Sequence, residues 1–363
     1  MNMNFETTFK YTRSSGTATT LCMVQVNEAE VWVAWSDGMI TSHTSLGLDY
    51  SLTQPYYFDN QVIALPETFV ISPSTSLTIL SMTKMGDYVY VMFKMSSGTF
   101  AIAPVNIQTH HGDTPIAVPF DSSTLNSNLV AVNNALAVAS QLTDSLDRNI
   151  LYVYTLSNST WHQLPIESKP QVEMRHIVDG LNGNIFITAK NSHGIVELNT
   201  TTTTQQLHKI NRHPYKLGVN QNKDVWVISD LNNGNNLLTL YNQSSATGVP
   251  FCSFDGNNTV LDDLRTQRLW GVGATTTRVD KASLDGVTAG VAAHEACLTN
   301  QYTYDKYDPS TDTVTSTTVR PYLVLRTDSN VYMYRATALT AVNSSEILVT
   351  AMIATGAQGY YGG

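Results

Sequence analysis

One local pattern recurs along this chain and constrains its fold more than any other feature. A polar residue leads into a short run of bulky and smaller apolar residues, as in Asp87 followed by residues 88–93. The copies start at residues 30, 87, 149, 184, 224, 268 and 330. They lie at intervals of roughly 35 to 60 residues, which brackets the spacing expected of propeller blades. The pattern predicts an all-β chain built from repeated small sheets.

A closed ring explains such a repeat better than an open row. Each four-stranded unit has two apolar faces, and stacking the units in a circle buries both and protects the sheet edges. We therefore predict a β-propeller of seven blades, closed by N- and C-terminal strands, with residues 21–26 and 347–353 in the same or neighbouring blades. The alternative is a pair of β-sandwiches in tandem, for which residues 165–170 are the only plausible linker.

The chain divides into three parts on this interpretation. Residues 1–18 form an N-terminal arm or a first pairing segment, and residues 19–354 form the propeller. Inserted loops lie near residues 286–318: a loop or short helix at 286–296, and a further insertion or outer hairpin at 303–318. Residues 355–363 form a flexible tail rich in glycine and tyrosine. The alanine-rich residues 130–139 are assigned as strand rather than helix, because valine and asparagine are poor helix formers.

Composition excludes several classes of function. The net charge is −9 and no stripe of lysine and arginine is present, so nucleic acid is not expected as a partner. Charged residues make up only 13% of the chain, against about 25% in an average globular domain. Threonine, serine and asparagine take their place, as in proteins that live in large assemblies or outside cells.

The sequence gives no sign of export, of a membrane span or of a disulfide framework. The first ten residues lack the apolar core of a signal peptide, and no apolar run approaches the length of a transmembrane helix. The three cysteines, Cys22, Cys252 and Cys297, form no Cys-x-x-Cys pair, so buried thiols are expected rather than disulfides or a zinc site.

Candidate metal ligands are few. The most metal-like cluster is His110, His111 and Asp113, for which a solvated loop between blades is the preferred interpretation. Asp305, Asp308 and Asp312 lack the glycine and the bidentate glutamate of a calcium loop. Hydrolase, metalloprotease and phosphate-loop motifs are missing from the sequence. We therefore predict no cofactor, no catalytic residue and no enzymatic activity.

Aromatic residues outside the repeated strands are the candidate binding residues. Trp161 follows a turn and is the best candidate for an exposed stacking residue, whereas Trp32, Trp226 and Trp270 lie in repeat strands and are expected to pack between blades. Loop and tail tyrosines are plausible contacts at an interface or with a glycan. These candidates are Tyr56, Tyr57, Tyr302, Tyr304, Tyr307, Tyr360 and Tyr361.

Residues 175–242 resemble the propeller repeats of the NHL, gluconolactonase and streptogramin-lyase group. A Gly-Asn turn at Gly183 and Asn184 precedes an aromatic and apolar strand, and a strand of the type Gly-Ile-x-x-Leu follows at residues 194–198. The resemblance implies a propeller blade but no particular function. Gluconolactonase-like enzymes hold a divalent metal with glutamate, asparagine and aspartate at the channel mouth, and this chain shows no such set at matching spacing.

The low charge, the polar composition and the Gly/Tyr tail also resemble virion structural proteins of tailed bacteriophages, several of which contain propellers. This resemblance implies a noncatalytic structural or attachment component of a virion tail, nozzle or fibre platform. Its expected partners are other virion subunits, in a homo-oligomer within an assembly, and its expected location is the virion. The alternatives are a propeller that binds a host-surface glycan receptor and a metal-dependent lactonase or lyase.

Overall fold

The computed structural model is built of strands. The structure describes residues 5–13, 16–27, 30–44, 78–95, 97–120, 125–166, 174–180, 183–189, 194–209, 213–219, 225–230, 236–242, 247–254, 268–272, 275–279, 293–298, 302–319 and 322–336. These residues form strands β1 to β27 and no helix. No helix able to cross a membrane occurs in this part of the chain.

Five sheets follow one another in chain order and are named here the first to fifth blades. The first blade holds β2 (Thr20–Gln25), β3 (Glu30–Trp35) and β4 (Ile40–Thr44). The second holds β5 (Thr78–Met85), β6 (Tyr88–Lys94), β7 (Phe100–Asn106) and β8 (Ile116–Ala117). The third holds β9 (Leu125–Val132), β10 (Ala135–Thr143), β11 (Asn149–Thr155) and β12 (Thr160–Pro165). The fourth holds β13 (Met174–Asp179), β14 (Asn184–Ala189), β15 (Gly194–Asn199) and β16 (Gln205–Lys209). The fifth holds β17 (His213–Val219), β18 (Val225–Asp230), β19 (Asn236–Asn242) and β20 (Thr247–Phe254).

The remaining described strands form three further antiparallel sheets. A two-stranded sheet joins β21 (Arg268–Val272) and β22 (Thr275–Val279). The closing sheet has the order β23 (Ala293–Leu298), β26 (Tyr322–Thr327), β27 (Asn330–Ala336) and β1 (Phe5–Thr12). Between its first two strands, β24 (Tyr302–Asp308) and β25 (Thr313–Val319) form a separate hairpin.

The first strands of successive blades lie side by side. β2 contacts β5, β5 contacts β9, β9 contacts β13, β13 contacts β17, and β2 also contacts β23 of the closing sheet. Sheets that converge on their first strands in this way radiate from a common axis, which is the arrangement of a β-propeller. The predicted fold class is confirmed, and tandem sandwiches are excluded. The count of seven blades stays a prediction, because it requires the β21–β22 sheet to be one of them.

The ring closes through pairing of the chain's first strand with its last described strand. β1 pairs antiparallel with β27, so part of the predicted N-terminal arm is the outermost strand of the closing sheet. The Thr12 hydroxyl donates to Oδ1 of Asn330 at 2.7 Å. The guanidinium of Arg13 then contacts the carboxylate of Asp37 in the first blade, with Nη2 at 2.9 Å from Oδ2. Residues 347–353, which the sequence assigned to the closure, lie outside the described residues.

The predicted insertion near residues 286–318 contains more regular structure than the sequence indicated. Residues 293–298 are the first strand of the closing sheet, so the assignment of 286–296 to a loop or short helix is wrong for its last four residues. Residues 303–318 lie within the β24–β25 hairpin, which is the outer-hairpin alternative. Residues 293–298 read Ala-His-Glu-Ala-Cys-Leu, in which polar and apolar residues do not alternate, and this explains the misassignment.

Apolar side chains fill the spaces between blades. Trp32 is fully buried in a cluster that also contains Ile79 and Val91 of the second blade, so its predicted role between blades is confirmed. Side chains of Trp226 and Trp270 are outside the described part. Three further clusters fill the spaces between the closing sheet and the first blade, the second and third blades, and the third and fourth blades. Side chains on both faces of β3 are therefore buried, which explains its uninterrupted apolar sequence.

Candidate interaction surface

The β24–β25 hairpin stands apart from the ring. Residues 311–316 are all exposed, and Val314 is 64% exposed. Because successive residues of a strand point to opposite faces, exposure from Thr313 to Ser316 means that both faces of the hairpin meet solvent there. The outer end of this hairpin therefore projects from the closing sheet.

The turn of the hairpin is fixed by a local hydrogen-bond network. One carboxylate oxygen of Asp308 accepts hydrogen bonds from the backbone N–H of Ser310 at 2.9 Å and from its hydroxyl at 2.7 Å. The hydroxyl bond is the main cause of the lowered pKa of the Asp308 carboxyl. Asp312 takes a positive φ of 51° at the end of the turn, a conformation that aspartate tolerates better than most residues. The tip is thus a defined turn, and the three aspartates do not converge on one point.

The two edges of the hairpin differ in charge. β24 contains Asp305, Lys306 and Asp308, whereas the seven residues of β25 carry no charge, no proline and no glycine. Pairing between the strands is continuous from Tyr302↔Val319 to Asp308↔Thr313, with no register shift. In contrast, the first and second strands of each blade, and of the closing sheet, pair with a register shift. β25 therefore lacks the charges and bulges by which proteins protect exposed edges.

Three of the predicted binding tyrosines lie in β24. By strand alternation, Tyr302 and Tyr304 occupy one face of the hairpin and Tyr307 the other. Thr317 lies opposite Tyr304 in the register, and Val314 lies opposite Tyr307. The three tyrosines therefore lie in one strand of the hairpin, at register positions on two different faces.

The hairpin lies on the side of the ring that carries the connections between first and second strands. It is itself such a connection, because it joins β23 to β26. On this side the Nδ2 amide of Asn133 in the third blade donates to the carbonyl oxygen of Gly183 in the fourth, at 2.8 Å. The turns of the third and fourth blades are thus bonded to each other on this side of the ring.

The three candidate metal ligands, His110, His111 and Asp113, do not form a metal site. His110 has a φ of 58° and its ring meets Trp32 edge-on, with 5.5 Å between ring centres. His111 and Asp113 are exposed, and the Asp113 N–H donates to the carbonyl of Pro104 at 2.7 Å. Among the described residues no group of three potential ligands is close enough to hold a metal ion. The loop is folded against the ring at His110 and solvated at its two other candidates.

Trp161 lies between two blades. Its indole N–H donates to the carbonyl oxygen of Ala117 in the second blade at 2.9 Å, and its ring packs against Tyr154 at 5.1 Å. Phe120 extends this cluster by contacting Tyr152, at 4.5 Å between ring centres. Burial raises the pKa of the Tyr152 phenol. Trp161 is half-buried, so only part of its ring is available for the stacking role that the sequence suggested.

The fourth blade contains a polar cluster that the sequence analysis missed. Nε2 of the buried His208 lies 2.7 Å from Oε2 of Glu197, whose other oxygen accepts a hydrogen bond from the amide of Asn184. The side chains come from three neighbouring strands and share the sheet face directed away from the third blade. The register that aligns them diagonally could not be read from the sequence alone.

Tyr56, Tyr57, Tyr360 and Tyr361, the remaining predicted binding tyrosines, lie outside the described residues.

Comparison with known proteins places the fold but not the function. No protein-family model and no curated protein matches this sequence. Among solved structures, YCF48 bound to a D1 peptide is 10% identical over 93% of this chain and 99% of its own, with a TM-score of 0.52. Streptogramin B lyase is 10% identical over 92% of this chain and 98% of its own, with a TM-score of 0.51. The WD40 repeats of RRP9 are 10% identical over 90% of this chain and 97% of their own, also with a TM-score of 0.51. Likeness at this identity shows a β-propeller and nothing further.

Proposed function

We propose that this chain is a noncatalytic structural component of a phage-like virion. In this role the ring is a rigid platform and the β24–β25 hairpin binds a neighbouring subunit. The observation that carries the proposal is the hairpin, whose β25 edge is uncharged and continuous and is exposed from Thr313 to Ser316. Such an edge pairs readily with another chain, and this pairing is the role that the proposal assigns to it.

The ring has the rigidity that a platform requires. Hydrogen bonds between adjacent blades, both near the axis and farther out, supplement the apolar clusters. Near the axis, the hydroxyls of Ser81 and Thr83 in β5 accept bonds from backbone N–H groups of β9. Farther out, the amide of Gln205 in the fourth blade donates to the carbonyl of Pro165 in the third at 2.7 Å. Bonds at several radii resist tilting of one blade against the next.

The similar structures are compatible with either binding or catalysis. One is a complex with a peptide and another is a lyase, so the fold alone favours neither. The hairpin favours binding, because its distinguishing property is an accessible backbone edge rather than a set of converging reactive groups.

A second candidate function is binding of a host-surface glycan. The observation that favours it is the hairpin face that combines Tyr302 and Tyr304 with Thr315 and Thr317. Aromatic rings stack on sugar rings, and hydroxyls exchange hydrogen bonds with sugar hydroxyls. Binding to a broad glycan array that is lost in the variant Tyr302→Ala/Tyr304→Ala would promote this candidate, and a clean negative would dismiss it.

The test of the structural role is co-sedimentation with particles. The chain is expressed in the cell that produces its particle, and the high-mass fraction of a density gradient is analysed for bound protein. We expect a fixed number of copies per particle for the wild type. In the test variant, residues 299–321 are replaced by Gly-Asp, the turn that joins β5 to β6 at Gly86 and Asp87. This variant should still form the ring but should be absent from the high-mass fraction. A wild-type chain that stays at low mass would overturn the proposal, as would equal incorporation of the hairpin-less variant.

A further inference from the structure

We infer that the β25 edge binds the β25 edge of a second copy of this chain, in an antiparallel pair about a two-fold axis at Ser316. The inference rests on the proposed function and names the partner of its hairpin. The juxtaposition that carries it is an uncharged, bulge-free strand, exposed from Thr313 to Ser316, whose sequence is compatible with its own reverse.

The register of such a pair follows from the symmetry. With Ser316 opposite its own copy, Thr315 lies opposite Thr317, Val314 opposite Thr318, and Thr313 opposite Val319. Every valine then meets a threonine, a combination of β-branched residues that packs well across strands. All seven residues of each β25 are paired, so neither copy leaves an overhang.

Charge favours this pairing over other self-associations. The chain carries a net charge of −9, so two copies repel each other over most of their surfaces. β25 contributes no charge to the contact, and no like charges meet across the two-fold axis. In a pair through β24, Asp305, Lys306 and Asp308 would instead enter the interface and lose part of their hydration.

The pairing ends at two copies. It would convert two two-stranded hairpins into one four-stranded sheet in the order β24, β25, β25 and β24. A two-stranded ribbon is marginally stable alone, whereas three or more strands stabilise each other. The outer edges of the new sheet are both β24, and their charges discourage further strand addition. A self-complementary edge with protected outer strands gives a closed dimer rather than a fibre.

The test uses the full chain with matched charges placed on the two edges. Ser316→Lys brings two lysines together at the two-fold axis, while within its own hairpin the new lysine lies opposite Asp305 and so favours a folded hairpin. The control Thr303→Lys places the same charge on β24, on the same face of the hairpin and away from the axis. Thermal unfolding of both variants is measured to confirm that each is folded.

Sedimentation velocity over about 1 to 100 µM protein, a range in which specific dimers with micromolar Kd form, gives the association constant. We expect a wild-type dimer, a dimer weakened by up to about fivefold for Ser316→Lys and an unchanged dimer for Thr303→Lys. An equimolar mixture of Ser316→Lys and Ser316→Glu should recover the wild-type association, because opposite charges then meet. Amides of β25 should become protected from hydrogen exchange as the concentration rises.

Two results would overturn the inference. One is a wild-type chain that stays monomeric with unprotected β25 amides over the whole range. The other is a dimer weakened equally by Ser316→Lys and Thr303→Lys. Either result leaves the structural role standing if the hairpin-less variant still fails to enter particles, since β25 would then pair with a strand of a different subunit.

Discussion

Asn133 and Gly183 lock the turns of two neighbouring blades together. The Nδ2 amide of Asn133 donates to the Gly183 carbonyl at 2.8 Å, and Gly183 has a φ of +87°. A Cβ atom at Gly183 would lie 2.5 Å from Nδ2 of Asn133. The close contact and the backbone conformation both require glycine at this position.

We expect Gly183→Ala to lower the free energy of unfolding by about 2–3 kcal/mol. About 1–2 kcal/mol comes from the left-handed backbone, and about 1 kcal/mol from the displaced Asn133 hydrogen bond. Gly86→Ala is the control, because Gly86 also has a positive φ but no atom lies within 4 Å of its added Cβ. Urea unfolding measures both. Equal losses for the two variants would show that the contact with Asn133 costs nothing.

Removal of the Trp161 indole N–H should loosen the second blade from the third. Trp161→Phe leaves the Ala117 carbonyl without this donor and should lower the unfolding free energy by about 1 kcal/mol. Trp161→Ala also removes the contact with Tyr154 and should cost about 2–3 kcal/mol. His162→Ala, at the next and exposed position, should change stability by less than about 0.5 kcal/mol. A stability change for Trp161→Phe as small as that of His162→Ala would contradict the role of the indole bond.

His43 should make stability depend on pH between about 3 and 6.5. It is buried, and desolvation lowers its pKa from 6.5 to about 3. Between these values the unfolded chain binds a proton that the folded chain does not, so the contribution is present above pH 6.5 and is lost as the pH falls. The expected slope is about 1.4 kcal/mol per pH unit.

The measurement is urea unfolding from pH 7 to pH 4 for the wild type, His43→Gln and His111→Gln. The slope of the unfolding free energy against pH should be smaller in His43→Gln than in the wild type. The difference should be up to about 1.4 kcal/mol per pH unit, which corresponds to one proton. The slope should stay at the wild-type value in His111→Gln, where an exposed histidine is lost instead. Parallel curves for all three proteins would show that His43 binds a proton equally in the folded and unfolded states.

The Arg13–Asp37 ion pair should hold β1 against the first blade. Both Nη2 and Nε of Arg13 approach Oδ2 of Asp37, at 2.9 and 3.1 Å. A double-mutant cycle with Arg13→Gln and Asp37→Asn should give a coupling energy of about 0.5–1 kcal/mol, reduced at high salt because the pair is partly exposed. Asp37→Asn should also accelerate hydrogen exchange in β1.

The pair formed by Asp144 and Arg148 is a matched control for this prediction. It has a comparable contact of 2.6 Å but lies within one loop of the third blade. Asp144→Asn should therefore leave exchange in β1 unchanged. Acceleration of β1 exchange by both substitutions would attribute the effect to overall charge rather than to the closing contact.

Sequence patterns predicted strands well but not their places in the sheets. The repeat copy at residues 30–35 is the second strand of its blade, whereas the copies at 149–154 and 330–334 lie in third strands. Second and third strands are both buried on two faces, so burial gives them the same apolar pattern and the sequence cannot distinguish them. The stretch 130–139 is similarly two strands joined at Asn133 and Asn134, whose positive φ values form the turn.

Features that depend on contacts between distant residues were not predictable from the sequence. Trp161 follows a turn as expected, but its burial depends on the carbonyl of Ala117, 44 residues earlier. Residues 303–318 were predicted only as an insertion or outer hairpin, and the exposure of β25 follows from the departure of the hairpin from the closing sheet. The burial of Trp161 and the exposure of β25 both depend on how distant strands are placed relative to one another in the folded chain.

Pairing of β1 with β27 sets the order of events during synthesis. Thr12 and Asn330 are separated by 318 positions, a distance that a ribosome covers in roughly 15 to 60 s at 5–20 residues per second. Throughout that time β1 has been made but its partner has not. Ring closure is thus a late step that only a chain extended through β27 can complete. Chains that end before β27 leave β1 unpaired beside the first blade. Proteases and chaperones can distinguish such chains from closed rings.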